Sequence, residues 1–261
     1  MNTRGNNKKH THLATLASSA GRVCLVLALA LIITGGAAWA KTAAPSLGSA
    51  SSFAVLSAAP NFLGAVTLTN STVTGDVGSS GPIASVVLTD STITGAVIAP
   101  VSDQVLADFN SAYDALALVP CDEVLTGTLA DVTLAPGVYC FDAAATLTGQ
   151  LTLKGPANGI WIFKIGTSYP VDPLTNLPTG ALTGTNFSVV MAGGGQPCNV
   201  YWWVAEAATM TDSDFVGTIL AGADITITRG TFTGNALAAA GVTMTDTSLV
   251  GCKATGGGKG K

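Results

Sequence analysis

The sequence is poor in charge and almost without histidine, and both shortages exclude classes of function. Charged residues make up 10% of the 261 residues, against about 25% in an average soluble domain. The two histidines, His10 and His12, both lie at the N-terminus. A Ser-His-Asp triad, a Cys-His pair and an HExxH zinc site all need a histidine. We therefore expect no enzyme, no catalytic residue and no metal or cofactor site.

Basic residues are scarce as well. Between Thr42 and Cys252 the cations are Lys154, Lys164 and Arg229. Nucleic-acid binding needs a basic face, so we expect no nucleic-acid partner.

The N-terminal segment has the three parts of a secretory signal peptide. Residues 1–22 carry basic residues and no acid, residues 23–33 are continuously apolar, and residues 38–40 read Ala-Trp-Ala. This pattern predicts a signal peptide over residues 1–40, cleaved after Ala40, and a secreted protein, extracellular or periplasmic. The alternative is an uncleaved membrane anchor, because the uncharged stretch reaches the roughly 18 residues at the lower limit for a span.

Export predicts disulfide bonds among the cysteines that follow the signal peptide. These are Cys121, Cys140, Cys198 and Cys252. Four cysteines allow three connectivities, and sequence alone does not choose among them. We favour Cys121–Cys140, which closes a short loop after a helix, and Cys198–Cys252, which ties the last strand region to an earlier one. A zinc site is disfavoured because there is no CxxC spacing and no histidine partner.

A nine-residue template recurs five times. It begins with Thr (Val in one copy), followed by an apolar residue, Thr, three mostly polar residues, a second apolar residue, any residue and Gly. The occurrences are TLTNSTVTG (67–75), VLTDSTITG (87–95), TMTDSDFVG (209–217), TITRGTFTG (226–234) and TMTDTSLVG (243–251). Alternation around the apolar positions predicts half-buried strands.

The distance between neighbouring copies predicts the architecture. Copies recur after 17 to 20 residues, which is too short for a domain but fits one coil of a stacked repeat. We predict a mainly β fold, a right-handed β-solenoid of irregular coils over residues 41–253, with a flexible Gly/Lys tail at 254–261. The rival, an immunoglobulin-type sandwich, would not repeat one template at a near-constant offset.

One segment departs from this period. Val105, Phe109 and Tyr113 follow helical spacing, which predicts a single long helix near residues 102–118 with Ser102 or Asp103 as its N-cap. We interpret it as a flank that covers one solenoid face; a partner-binding element is the alternative.

Several segments together resemble one protein family. They are LGSASSFAVLS (47–57), AYDALA (112–117), LAPGVYCF (134–141), LTLKGPANGIWIFKIG (151–166), CNVYWWV (198–204) and FVGTILA (215–221). In their order and in their amino-acid sequences they are similar to the bacterial and fungal ice-binding, or antifreeze, proteins. That family has a discontinuous β-solenoid beside one long α-helix. The resemblance spans residues 47–252.

The resemblance implies a protein of cold adaptation that binds ice without catalysis. It would adsorb to ice through a flat solenoid face, inhibit ice growth and recrystallisation, and need neither cofactor nor small-molecule substrate. We expect a monomer whose N- and C-terminal coils interleave. Stacked strands repeat about every 4.8 Å and alternate residues about every 6.6 Å. A rigid threonine grid of this spacing can hold methyls and hydroxyls in register with ordered water.

The family's face carries Thr, then Gly or Ala, any residue, and Thr or Asn. Residues 183–186 (TGTN) fit fully and residues 148–151 in half. The predicted ice-binding residues are Thr69, Thr72, Thr89, Thr92, Thr148, Thr183, Thr185, Asn186, Thr211, Ser213, Thr228, Thr231, Thr245 and Thr247. The small second residue is replaced elsewhere by Asn70, Asp90, Asp212, Arg229 and Asp246. We interpret these as bulky side chains in the groove between threonine ranks, which would make the face less flat.

Two other functions remain as alternatives. A secreted or cell-surface adhesion module without ice affinity is favoured by those acidic positions. A polysaccharide-cleaving enzyme would use clustered acids beside a cation, as Asp212, Asp214 and Arg229 could imitate, but an acid repeated at one template position better fits a solvated row.

Overall fold

Two parallel sheets and one helix form the described part of the protein. The structure, a computed structural model, describes residues 43–167 and 179–252. The predicted signal peptide and the predicted tail lie outside these residues. Within them, the single α-helix is too short and too polar to cross a membrane.

The chain contains nineteen strands and one α-helix within the described residues, in the following order. The elements are β1 Phe53–Ser57, β2 Val66–Thr69, β3 Thr72–Thr74, β4 Asp76–Ser79, β5 Val86–Thr89, β6 Thr92–Ile93, β7 Val97–Ile98, α1 Asp103–Ala117, β8 Glu123–Val124, β9 Val132–Leu134, β10 Gly137–Phe141, β11 Ala145–Lys154, β12 Trp161–Ile165, β13 Leu182–Ala192, β14 Val200–Val204, β15 Ala208–Val216, β16 Thr218–Ala221, β17 Ile225–Thr233, β18 Ala236–Ala238 and β19 Val242–Val250.

Successive strands alternate between the two sheets, except that β7 and β8, on either side of α1, are both in the first sheet and that β3 and β6 stay in the second. The first sheet has the order β7-β4-β1-β18-β16-β14-β12-β10-β8, and the second has β5-β2-β19-β17-β15-β13-β11-β9. The short strands β3 and β6 continue β2 and β5 and pair with β19 and with each other. All pairs are parallel, which confirms the mainly β, stacked architecture.

The order of the strands is discontinuous in sequence, as the resemblance implies. The last strand, β19, lies between β17 and the early strand β2, while β1 lies between β4 and β18. The N-terminal rungs are therefore added to the C-terminal end of the stack.

The core between the sheets is apolar and rich in aromatic side chains. Trp161, Phe163 and Trp202 are fully buried, and Trp203 is buried on the opposite side of the first sheet. The rings of Phe163 and Trp202 stack at a centroid distance of 3.9 Å. Trp161, Phe163 and Trp202 therefore hold the two sheets together, whereas Trp203 belongs to the apolar cluster outside the first sheet.

Helix α1 covers the outer side of the first sheet. It buries Val105, Phe109, Ala112 and Leu116, the face that the helical spacing predicts. Ser102 is the N-cap, but its side chain makes no capping hydrogen bond. A second apolar cluster forms here between the helix and the sheet, so the helix is part of the protein's core.

A buried lysine holds the end of this helix. Lys164 is 4% exposed, and its Nζ donates to the carbonyl oxygens of Ala117 at 2.8 Å and Val119 at 2.6 Å. A cation suits a helix C-terminus, where carbonyl groups lack partners. Lys164 therefore has a structural role.

The disulfides have the favoured connectivity. Cys121 bonds to Cys140 with a Cα–Cα distance of 5.9 Å, and Cys198 bonds to Cys252 with 5.6 Å. The second bond attaches the residue after β19 to the segment before β14.

Candidate functional site: a two-column threonine face

Two columns of threonine run across the second sheet. The upstream column joins six adjacent strands and consists of Thr146, Thr183, Thr209, Thr226, Thr243 and Thr67. The downstream column, two residues further along each strand, consists of Thr185, Thr211, Thr228, Thr245, Thr69 and Thr89. Every one of these residues is half-buried or exposed. We call the two columns together the threonine face.

The threonine face arises from the Thr-x-Thr opening of each repeat. Alternation along a strand points both threonines outward and the residue between them inward. Leu68, Met210, Ile227 and Met244, at these middle positions, are buried. Pairing in register then converts a repeated tripeptide into a grid of about 4.8 Å by 6.6 Å. Neither column contains a charged residue.

A corner ends the threonine face at the residue that follows the downstream column. This residue has a positive φ in six strands: Asn70 (46°), Asp90 (48°), Asn186 (47°), Asp212 (51°), Arg229 (56°) and Asp246 (52°). We call these six the corner column. Asn and Asp enter the left-handed region more readily than other non-glycine residues. The polar residues at this template position are therefore explained by backbone conformation.

Hydroxyl groups satisfy the backbone inside the corner. Ser71, Ser213 and Thr247 each donate to the carbonyl oxygen two residues earlier, at 2.8 to 3.0 Å. The hydroxyl oxygens of Ser71 and Ser213 also accept from backbone N–H groups of a neighbouring strand, Ser71 Oγ from Thr247 at 3.2 Å and Ser213 Oγ from Phe187 at 3.3 Å. These side chains thus bridge adjacent corners.

The two outer threonines of the template were expected on one flat face, and the corner shows that this interpretation is wrong. Thr69 and Thr72 lie on opposite sides of the corner residue Asn70, so they belong to two different surfaces. The expectation that the replacing residues fill a groove between threonine ranks is wrong, because the corner turns the chain there. Their side chains border the threonine face.

The predicted site residues fall into four places. Seven lie on the threonine face: Thr69, Thr89, Thr183, Thr185, Thr211, Thr228 and Thr245. Thr72, Thr92 and Thr231 lie beyond the corner, and Asn186 lies in it. Thr148 directly precedes Gly149, whose φ is 73°. Ser213 and Thr247 are each 3% exposed, so the expectation that they face outward is wrong: both are inside the corner.

The sequence pattern used for the prediction does not include most of the upstream column. Thr67, Thr146, Thr209, Thr226 and Thr243 were not among the predicted residues, although each begins a Thr-x-Thr tripeptide. The signal that finds them is plain alternation, counted only as far as the corner residue.

Two of the charges that border the face neutralise each other. Arg229 and Asp212 form an ion pair on adjacent strands of the corner column. The hydrogen bond from Arg229 lowers the pKa of the Asp212 carboxyl below its usual range, and the same bond raises the pKa of Arg229. Across the two described ranges, no cluster of three or more His, Cys, Asp or Glu residues suits a metal ion.

The chain matches one family profile, described as Ice-binding-like, over residues 62–250. An ice-binding protein of Nostoc sp. (strain HG1) is 36% identical over 190 residues, 69% of this chain and 66% of that protein. One from Colwellia sp is 30% identical over 236 residues, 82% of this chain and 86% of that protein. The crystal structure of an ice-binding protein from the Antarctic ascomycete Antarctomyces psychrotrophicus gives a TM-score of 0.66 at 28% identity, covering 80% of this chain and 98% of that chain. The chain therefore belongs to the Ice-binding-like family.

Proposed function

We propose that the protein is secreted, after cleavage behind Ala40, and adsorbs to ice through the threonine face. Adsorption would inhibit ice growth and recrystallisation. The observation that carries this proposal is the register of the two columns, which places twelve threonines on one uncharged grid. Its family membership supports the same conclusion.

The chemistry of the grid favours ordered water. A threonine methyl contributes apolar burial, and its hydroxyl offers a hydrogen bond to water held at a fixed spacing. The β-branched side chain is stiff about χ1, so its two groups keep their positions without a further loss of entropy on binding. A charged side chain would instead retain its own hydration shell.

We also propose that the coils wind in a right-handed sense. Connections between parallel strands are right-handed in about 98% of cases, and every strand pair in this stack is parallel. No catalytic step is part of the proposed function.

Substitution of one upstream threonine by a large side chain tests the proposal. Thr226→Tyr and Thr243→Tyr, near the middle of the face, should reduce thermal hysteresis and recrystallisation inhibition to less than half, with an unchanged melting temperature. The matched control is Thr72→Tyr, an exposed threonine beyond the corner, which should keep full activity. Equal activity in all three variants would contradict this assignment, and no activity in the parent protein would refute ice binding itself.

A further inference from the structure

A concave site lies on the outer side of the first sheet, away from the threonine face. It is a cavity of about 570 Å³. Its floor is a row of three polar side chains, Tyr201, Thr218 and Asn235, on or next to the adjacent strands β14, β16 and β18. Tyr201 is paired with Thr218, and Ile219 with Ala236, so Asn235 lies beside Thr218. Neighbouring members of the row are therefore about 4.8 Å apart.

These three side chains are deeply buried but keep hydrogen-bonding capacity. Tyr201 is 7% exposed, and Thr218 and Asn235 are 1% exposed. The Oδ1 of Asn235 accepts from the backbone N–H of Cys252 at 2.8 Å. Within the described residues, the Asn235 Nδ2 and the two hydroxyls have no hydrogen-bond partner.

The unused groups face the cavity. In the described part of the chain, Trp203 Nε1 is the one polar side-chain atom that has neither a hydrogen-bond partner nor access to solvent, and Trp203 does not line the cavity. The Nδ2 of Asn235 and the hydroxyls of Tyr201 and Thr218 also have no partner among the described residues. Since they are not enclosed in the same way, they keep access to solvent. Buried polar groups normally have partners, and a row of three without them is a preformed set of donors and acceptors. Burial also raises the pKa of Tyr201, so its hydroxyl stays protonated and able to donate.

The walls select for a neutral ligand. The segment with Leu47 and Ser51 lines one side, and Gln196 and Asn199 line another beside the Cys198–Cys252 disulfide. None of the described residues that line the cavity is charged, so among them neither an anion nor a cation finds a counter-charge. Amide and hydroxyl groups among apolar side chains suit a molecule whose surface alternates hydroxyl and C–H groups. The volume lies within the range of about 300 to 1,000 Å³ typical of small-molecule sites.

We propose that this cavity binds a neutral polyhydroxylated ligand, a mono- or disaccharide unit. The unit is either a free sugar or the end of a surface glycan. Because the cavity lies on the first sheet and the threonine face on the second, a bound sugar leaves the threonine columns uncovered. The proposal stands independently of ice binding.

Titration of the purified protein with glucose, N-acetylglucosamine and trehalose tests the site. Binding is followed by calorimetry and by the NMR signal of the Asn235 side-chain amide, which should shift and saturate with at least one probe. A parallel measurement with an immobilised polysaccharide separates the two sources, since a glycan-end site binds the polymer and a free-sugar site does not. No saturable binding of any sugar, free or immobilised, would overturn the proposal.

Two conservative variants locate the binding. Tyr201→Phe and Thr218→Val each remove one hydroxyl while keeping the shape, and each should weaken binding about fivefold to tenfold. Neither should lower the melting temperature, because neither hydroxyl bonds to another described residue. The matched control is Tyr139→Phe, which removes a hydroxyl bonded to Ala135 at 2.8 Å; it should lower the melting temperature and leave sugar affinity intact. Unchanged affinity in both cavity variants, or a lower melting temperature in both, would show that these groups serve the fold instead.

Discussion

Arg229 and Asp212 join two adjacent strands at the border of the threonine face. The Nε of Arg229 donates to Oδ1 of Asp212 at 2.6 Å, and Nη2 donates to Oδ2 at 2.8 Å. Arg229 is the only cation of the corner column, and its neighbour Thr228 belongs to the face. These two hydrogen bonds therefore fix the long side chain of Arg229, which could otherwise extend over the threonines of the face.

Loss of the carboxylate should therefore harm ice binding more than loss of the cation. We expect Asp212→Asn to reduce thermal hysteresis, because the released guanidinium carries its hydration shell over the face. Arg229→Asn should retain activity. Melting temperatures should change little, since exposed ion pairs contribute little to stability. An equal loss of activity in both variants would contradict the argument.

The corner residues should respond to backbone demands. Asp246 has a φ of 52°, a conformation that costs most residues about 1 to 2 kcal/mol. Asp246→Val should lower the free energy of unfolding by about that amount, whereas Asp246→Asn should leave both stability and ice activity unchanged. Denaturant unfolding measures the difference. Ser248→Val, at an exposed position of the same strand, is the control and should be tolerated; a loss as large as that of Asp246→Val would refute the backbone explanation.

Acid should release the segment around Ser49 from helix α1. The Asp108 carboxylate accepts from Ser49 Oγ at 2.6 Å and from Ser49 N–H at 2.7 Å, and these bonds lower its pKa. A carboxyl with a lowered folded-state pKa stabilises the fold above its unfolded value of about 3.9, and this contribution is lost as pH falls through the folded-state pKa.

We therefore expect Asp108→Asn to lower the melting temperature at pH 7 and to approach the parent protein as the pH falls from 4 towards 2. Asp114→Asn, at an exposed position of the same helix, is the control and should show no such convergence. Thermal unfolding between pH 2 and pH 7 gives both curves. A constant difference between Asp108→Asn and the parent across this range would contradict the prediction.

The repeat template predicts the core well in the middle of the stack and poorly at its end. Leu68, Met210 and Met244 are buried as the alternation predicts, but the equivalent Leu88 is 44% exposed. Leu88 lies on β5, the edge strand of the second sheet, where no further strand of the described residues covers it. Periodicity describes one strand and its two faces, whereas burial also depends on the next strand in space.

The candidate site was only half predictable for a related reason. Strict alternation carried past the corner residue turns Ser213 and Thr247 outward, and the family's Thr-x-x-Thr pattern places Thr69 and Thr72 on one surface. A single left-handed residue shifts the alternation and starts a new surface. The recurring Asn or Asp is visible in the sequence. It can be explained either by a left-handed backbone or by a charged surface, and the sequence does not choose between them. The family resemblance implies that N- and C-terminal coils interleave, but the position of β19 next to β2 is known only from the structure, because contacts this distant leave no periodic trace.

The position of β19 also determines when folding can finish. In an ordinary array of stacked repeats each unit contacts only its neighbours in sequence, and folding can spread from any point. Here β19, the last of the described strands, joins the first rungs to the rest of the second sheet. A chain that emerges N-terminus first cannot join β2 to β17 through that sheet until β19 has been released. The sequence is thus repetitive, but the repeats cannot complete the second sheet one after another from the N-terminus.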